Sequence, residues 1–101
     1  MSLAVGVSLP EAEIAEICRR YQVKELAVFG SAARGDLGPA SDVDLLVDFL
    51  PAAHVGLLEF VALSEELSGA IGRRVDLAVK PALKPRLRPR ILAEAHVVYA
   101  A

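Results

Sequence analysis

The chain contains little cysteine and few aromatic residues. It has one cysteine and no tryptophan, and aromatic residues make up 5% of its 101 residues. A single cysteine cannot form an internal disulfide, which excludes a disulfide scaffold and fits a reducing cytoplasm. Cys18 falls on a helical apolar stripe with Ile14, Ile17 and Tyr21, so we expect a core thiol and not a nucleophile. His54 and His96 have no histidine or cysteine at ligand spacing, which argues against a zinc site.

Long hydrophobic runs are also missing. No segment has the continuous apolar length of a membrane span, and the first seven residues lack the basic start of a signal peptide. Hydrophobic residues still make up 54% of the chain, which argues against disorder and is enough for a core. We therefore expect a single domain over residues 1–101, in the cytoplasm and with no membrane partner.

Positive charge is scarce in the first part of the chain and concentrated in the last part. Residues 1–70 carry four basic residues against eleven acidic ones, and residues 71–101 carry seven against two. The basic residues crowd the proline-punctuated segment 80–90. This segment could meet an acidic partner surface, nucleotide phosphates or RNA, or it could be a solvated helix face. It has no aromatic stacking residue, which argues against nucleic acid as a direct partner.

A Gly-Ser turn follows the apolar run 26–29, which reads as a buried strand. Gly30 has no side chain, so a phosphate can approach the backbone there. Ser31 stands where a short helix can start, with Gly35 as its end, and free N–H groups at a helix start favour an anion. We therefore predict a phosphate site at Gly30 and Ser31. Arg34 either reaches a phosphate from this helix or pairs with Asp36 on the surface.

Two carboxylates follow this turn after a short loop. Asp42 and Asp44 open the segment 42–49, which reads as a second strand. Residues i and i+2 of a strand face the same side, roughly 6.5–7 Å apart. Two metal ions roughly 3.5–4 Å apart can be bridged by such a pair. Because a nucleoside triphosphate is a polyanion, the pair makes sense only with Mg²⁺ between the acids and the phosphates.

A third acid interrupts a later apolar run. Asp76 lies within the predicted strand 74–79, where a carboxylate is costly to bury unless it is paired or bound to a cation. If this strand lies beside the segment 42–49, Asp76 completes a three-carboxylate metal site. Asp76 would then accept the proton of an attacking hydroxyl or bind the metal that acidifies it. Asp48 and Asp36 are interpreted as solvated charges, and Ser41 as a turn-stabilising hydroxyl.

The pattern of apolar runs and turn residues predicts an α+β fold. We expect a small mixed sheet with helices on one face and the acids on the open face. The predicted helices are 10–20, 31–35, 54–70 and one within 83–95, and the predicted strands are 24–29, 43–49, 74–79 and 96–99.

At these residues the chain resembles the minimal nucleotidyltransferases of the DNA polymerase β superfamily. Gly30-Ser31, a ten-residue spacer and Asp42-Val43-Asp44 match that family's signature, Ala33-Arg34-Gly35 fits its flanking pattern, and Asp76 matches its third acid. The resemblance extends from about residue 23 to residue 99. It implies the nucleotidyltransferase fold, with Asp42, Asp44 and Asp76 as catalytic, metal-binding residues. It also implies two Mg²⁺ ions and ATP as the substrate.

The resemblance also implies a biological role. Members of this family serve as antitoxins of a type VII-like toxin–antitoxin pair, in which AMP is attached to a tyrosine of an HEPN-domain ribonuclease toxin. The short chain leaves little room for an acceptor pocket, so we expect a partner protein to complete the site. Two alternatives remain: a non-catalytic antitoxin that only binds its toxin, and a transferase acting on a small, antibiotic-like hydroxyl compound.

Overall fold

The computed structural model describes residues 9–36, 38 and 41–101. Within these residues the chain forms four strands, four α-helices and one 3₁₀ turn. In chain order they are α1 (Glu11–Arg20), β1 (Val23–Phe29), α2 (Gly30–Arg34), β2 (Val43–Phe49), α3 (Leu57–Ile71), β3 (Val75–Val79), the 3₁₀ turn (Lys80–Ala82), α4 (Arg88–Glu94) and β4 (His96–Ala100). The short loop predicted before Asp42 includes residues 37, 39 and 40, which lie outside the described residues, as does the segment 1–8.

The strands form one mixed sheet in the order β3-β2-β1-β4. β1 pairs antiparallel with β2 and with β4, whereas β2 pairs parallel with β3. The long helix α3 connects β2 to β3, as a parallel pair requires. The mixed sheet and the edge position of the last strand are therefore confirmed.

The main core lies between one face of the sheet and the helices α1 and α3. Alternate residues of β1 and β2, such as Leu26 and Leu45, pack there against Ile14 of α1 and Leu63 of α3. Cys18 belongs to the same core and is fully buried, which confirms its predicted place. The prediction of helices on one face is correct for α1 and α3.

The short helix α4 lies on the opposite face of the sheet, contrary to the prediction that all helices share one face. Its Ile91 packs with Ala27 of β1 and Leu46 of β2 in a second, smaller cluster. Ile91 is the only buried residue of the seven-residue helix, so its periodicity carried too little information to assign a face. This helix partly covers the face that the sequence predicted to be open.

The ends of α3 are fixed by local hydrogen bonds. The Gly56 N–H donates to the Glu59 carboxylate (2.7 Å), which makes the helix begin at Leu57, three residues later than predicted. At the other end Gly72 adopts φ 78°, and its N–H donates to the Ser68 carbonyl oxygen (2.8 Å). No helix in the described part of the chain combines the length and apolar character needed to cross a membrane.

Candidate active site

Asp44 and Asp76 lie side by side on adjacent parallel strands. They are direct partners in the register of β2 and β3, so their side chains project from the same face of the sheet. In addition to partial burial, the charge of Asp76 acts on the Asp44 carboxyl group and raises its pKa. Asp42 comes directly before β2, and its charge also acts on Asp44. Asp44 and Asp76 thus lie together on the face opposite α1 and α3, whereas Asp42 does not line the cavity that contains them.

The surroundings of Asp44 make its negative charge unfavourable. Its pKa lies above the ordinary value because the carboxyl group is partly buried, and the charges of Asp76 and Asp42 raise it further. Arg34 acts in the opposite direction and is outweighed. A cation bound at these carboxylates would relieve this repulsion. The group therefore has the electrostatic character of a cation site.

Gly30 provides the space that the Asp44 carboxylate occupies. This glycine has φ 70°, and a Cβ placed on it would overlap the Asp44 carboxylate, with Cγ only 3.0 Å away. An L-residue would therefore be both strained and sterically blocked. The sequence predicted that the missing side chain leaves room for a phosphate, whereas in the structure this room is filled by Asp44. The Gly-Ser turn and the acid pair are thus one packed unit.

Glu94 accepts hydrogen bonds from the Gly-Ser turn and from Arg34. The Gly30 N–H donates to Glu94 Oε1 (3.1 Å), and Arg34 Nη1 lies 3.2 Å from both Glu94 oxygens. Arg34 Nε also donates to Asp36 (3.2 Å), which is the surface pairing that the sequence left open. Ser31 is half-buried at the same turn. Sequence reasoning missed Glu94 because no local pattern connects residues 64 positions apart.

These groups line one cavity of about 250 Å³. Asp44 and Asp76 form one part of its wall, and the Gly-Ser turn and α4 form the rest. The complete lining is Phe29, Gly30, Ser31, Arg34, Asp44, Asp76, Leu87, Arg90, Ile91 and Glu94. Arg90 was also missed as an individual site residue, although the basic segment 80–90 had indicated a candidate phosphate surface. The cavity joins carboxylates on one side to cationic and N–H groups on the other.

The donor set at this cavity fits Mg²⁺. In the described residues no three acidic, histidine or cysteine side chains form a ready-made metal cage, so the predicted metal role of all three acids stays a prediction. Asp44 and Asp76 do supply adjacent carboxylate oxygens beside an open space. Mg²⁺ is commonly held by one or two carboxylates and completed by phosphates and water. A Mg²⁺ ion bound in this way does not require three protein ligands.

The remaining candidates have structural roles. The Ser41 hydroxyl accepts a hydrogen bond from the Gly38 N–H (3.1 Å), which confirms its predicted turn role. Asp36 is exposed, and Asp48 faces Glu25 across the strand pair, away from the cavity. Burial raises the pKa of the Cys18 thiol to about 11, which makes it a poor nucleophile.

Comparisons with protein families, related sequences and solved structures all match the chain to nucleotidyltransferases. The profile of the nucleotidyltransferase domain family matches residues 11–99. Protein adenylyltransferase MntA of Thermococcus cleftensis is 43% identical over 86 residues, covering 83% of this chain and 81% of that protein. A solved structure of a candidate minimal nucleotidyltransferase superposes with a TM-score of 0.72 at 38% identity, covering 85% and 86% of the two chains.

A more distant structure shares the fold. The complex of a tri-AMPylated Shewanella oneidensis HEPN toxin with its MNT antitoxin superposes with a TM-score of 0.65 at 18% identity. The match covers 90% of this chain and 70% of that one.

Proposed function

Because the chain belongs to the nucleotidyltransferase domain family, we propose that it transfers AMP from ATP to a protein hydroxyl with Mg²⁺ as cofactor. The acceptor we propose is a tyrosine of an HEPN-domain ribonuclease toxin, so that the chain acts as an antitoxin. The observation that carries this proposal is the parallel register of Asp44 and Asp76 beside the Gly30 turn. The name of the 43% identical relative, a protein adenylyltransferase, supports the same chemistry.

The acids would hold the metal. Asp44 and Asp76 offer the adjacent oxygens, and Asp42 adds a third carboxylate at the start of β2. When bound, Mg²⁺ supplies positive charge at the phosphates and acidifies an attacking hydroxyl. The raised pKa of Asp44 supports this role, since a carboxylate that is partly buried and also repelled by its neighbours gains from a cation.

The turn and α2 would hold the triphosphate. The Gly30 N–H and the Ser31 hydroxyl are hydrogen-bond donors on the wall of the cavity that contains the acids. The Arg34 guanidinium lines the same wall and can make paired hydrogen bonds to phosphate oxygens. The proposed triphosphate site and the acids thus belong to the same cavity.

The transfer is an in-line displacement at the α-phosphorus. The acceptor oxygen forms the new P–O bond while the bond to the leaving pyrophosphate breaks. Asp76 is exposed whereas Asp44 is half-buried, so we assign the acceptor's proton to Asp76. The leaving pyrophosphate takes the electron pair of the broken bond, and Arg34 and the Gly30 N–H would stabilise its negative charge.

A protein acceptor suits the open form of the cavity. The cavity beside the acids measures about 250 Å³ and is bounded by the acids and by the donors proposed to bind the phosphates. A partner's surface can supply the remaining wall and present the hydroxyl. The shared fold with an MNT antitoxin bound to an AMPylated HEPN toxin supports a partner of that class, and hence a hetero-oligomer.

The test is transfer of label from ATP that is radioactive at the α-phosphate. The chain is mixed with Mg²⁺, the labelled ATP and a candidate HEPN-domain partner. We expect label on a tyrosine of the partner, and loss of more than about a hundredfold in rate with Asp42→Asn plus Asp44→Asn, since these carboxylates act on the transition state. Asp48→Asn removes a charge from the same strand outside the cavity and should leave the rate unchanged.

Three outcomes would contradict the proposal. Label on a small hydroxyl compound in place of the partner would identify a different acceptor. Toxin neutralisation that survives the Asp42 and Asp44 substitutions would indicate an antitoxin that acts by binding alone. Full transfer in the presence of a metal chelator would exclude the metal role of the acids.

A further inference from the structure

Glu94, the last residue of α4, has no role in the transfer chemistry described above, yet it contacts the donors proposed to bind the phosphates. Its side chain is 19% exposed and contacts the Gly-Ser turn from across the cavity. One oxygen accepts the Gly30 N–H at 3.1 Å, and both oxygens lie 3.2 Å from Arg34 Nη1. The Glu94 carboxylate thus accepts hydrogen bonds from the Gly30 backbone N–H and from the Arg34 guanidinium at the same time.

These two donors are the ones assigned above to the triphosphate. A carboxylate and a phosphate are both anions with oxygen acceptors, so they satisfy the same donors in the same way. Both cannot bind there together, because two negative groups in one partly buried place repel each other. We propose, relying on the phosphate site of the proposed function, that Glu94 occupies this site in the nucleotide-free protein and that the incoming triphosphate displaces it.

The displaced carboxylate has a new partner within reach. Arg90 is four residues earlier on α4, and residues at this spacing are neighbours on a helix surface. Arg90 lines the same cavity, and in the described part of the chain it makes no hydrogen bond or ion pair. A side-chain rotation of Glu94 toward Arg90 would free Arg34 while keeping the carboxylate paired.

The proposed exchange and a purely structural role of Glu94 predict opposite effects on phosphate binding when the charge of Glu94 is removed. If Glu94 only held Arg34 in position, removing its charge would weaken phosphate binding. If Glu94 competes with phosphate, removing its charge strengthens binding. Glu94→Gln makes this distinction well, because the amide keeps an oxygen acceptor for the Gly30 N–H and loses only the charge.

The experiment titrates inorganic tripolyphosphate, without metal, into the wild type and Glu94→Gln at low salt. The Gly30 amide and the Arg34 Nε–H are followed by NMR. We expect Glu94→Gln to bind about tenfold more tightly, since hydrogen bonds to a charged group are stronger than neutral ones by about this factor. Glu65→Gln is the matched control, because it makes the same charge change on α3, on the other face of the sheet. It should bind as the wild type does.

Equal or weaker binding by Glu94→Gln would overturn the proposal. If that variant does not fold, the wild type alone decides: on saturation with tripolyphosphate the side-chain carboxyl carbon of Glu94 should shift. A resonance that stays unchanged while the Gly30 amide moves would overturn the proposal equally. A test on tripolyphosphate is separate from the test on labelled ATP. Transfer to the partner without tighter binding by Glu94→Gln refutes the exchange alone, and tighter binding without transfer refutes the proposed reaction alone.

Discussion

Replacing Gly30 by alanine tests whether the turn and the acid pair form one unit. The alanine would have to adopt φ near 70°, and its Cβ would displace the Asp44 carboxylate. Left-handed backbone costs an L-residue about 1–2 kcal/mol. Moving Asp44 away from its preferred rotamer adds about 0.5–1.5 kcal/mol. We therefore expect Gly30→Ala to lower the free energy of unfolding by about 1.5–3.5 kcal/mol.

Substitutions at two other glycines show how much of this loss of stability comes from the backbone conformation and how much from the clash with Asp44. Gly72 has φ 78° and open space where a Cβ would stand, so Gly72→Ala should show the backbone cost alone, about 1–2 kcal/mol. Gly69 lies within α3 with nothing near the position of a Cβ, so Gly69→Ala should stabilise the protein by about 0.5–1 kcal/mol. Urea titration measures all three changes. The reasoning would be refuted if Gly30→Ala cost no more than Gly72→Ala, or if it kept full transferase activity.

Further predictions concern charge, reactivity and packing. Because the pKa of Asp44 is raised on folding, its contribution to stability is present below the ordinary aspartate pKa and is lost as pH rises through the raised value. Asp44→Asn should therefore have a higher free energy of unfolding than the wild type at about pH 7 and no advantage at about pH 3, by urea titration; a constant difference would contradict this. Cys18, with its pKa raised to about 11, should resist iodoacetamide at about pH 8 until urea unfolds the chain, and rapid native labelling would disprove its burial. Leu63→Ala should lower the free energy of unfolding by about 2–5 kcal/mol, whereas Leu58→Ala on the exposed side of the same helix should change it by less than about 0.5 kcal/mol. Equal losses of stability in the two variants would contradict the burial of Leu63 and the exposure of Leu58.

The sequence predicted those parts of the site that are close together along the chain. Gly30, Ser31 and Asp44 lie on consecutive elements, so turn chemistry and strand alternation were enough to relate them. Asp76 was predictable as an acid in an apolar strand, although its register with Asp44 depends on how β3 pairs. Residues 37, 39 and 40 of the intervening loop lie outside the described structure.

Long-range contacts limited the prediction elsewhere. The contact of Glu94 with Gly30 joins residues 64 apart, and no periodicity encodes it. The face chosen by α4 depends on Ile91 packing against Ala27 and Leu46, which a seven-residue helix with one buried residue does not reveal. The cytoplasmic location stays a prediction.

Paramagnetic broadening by Mn²⁺ tests the central claim most directly. Mn²⁺ prefers the same oxygen ligands as Mg²⁺ and broadens the NMR signals of nearby nuclei. With a non-hydrolysable ATP analogue present, we predict that the first amide signals lost are those of Asp44, Asp76, Gly30 and Ser31, and that Asp44→Asn abolishes the effect. Broadening centred instead on the acidic residues of α1 and α3, such as Glu13 and Glu66, would place the cation on the other face of the sheet and contradict the account.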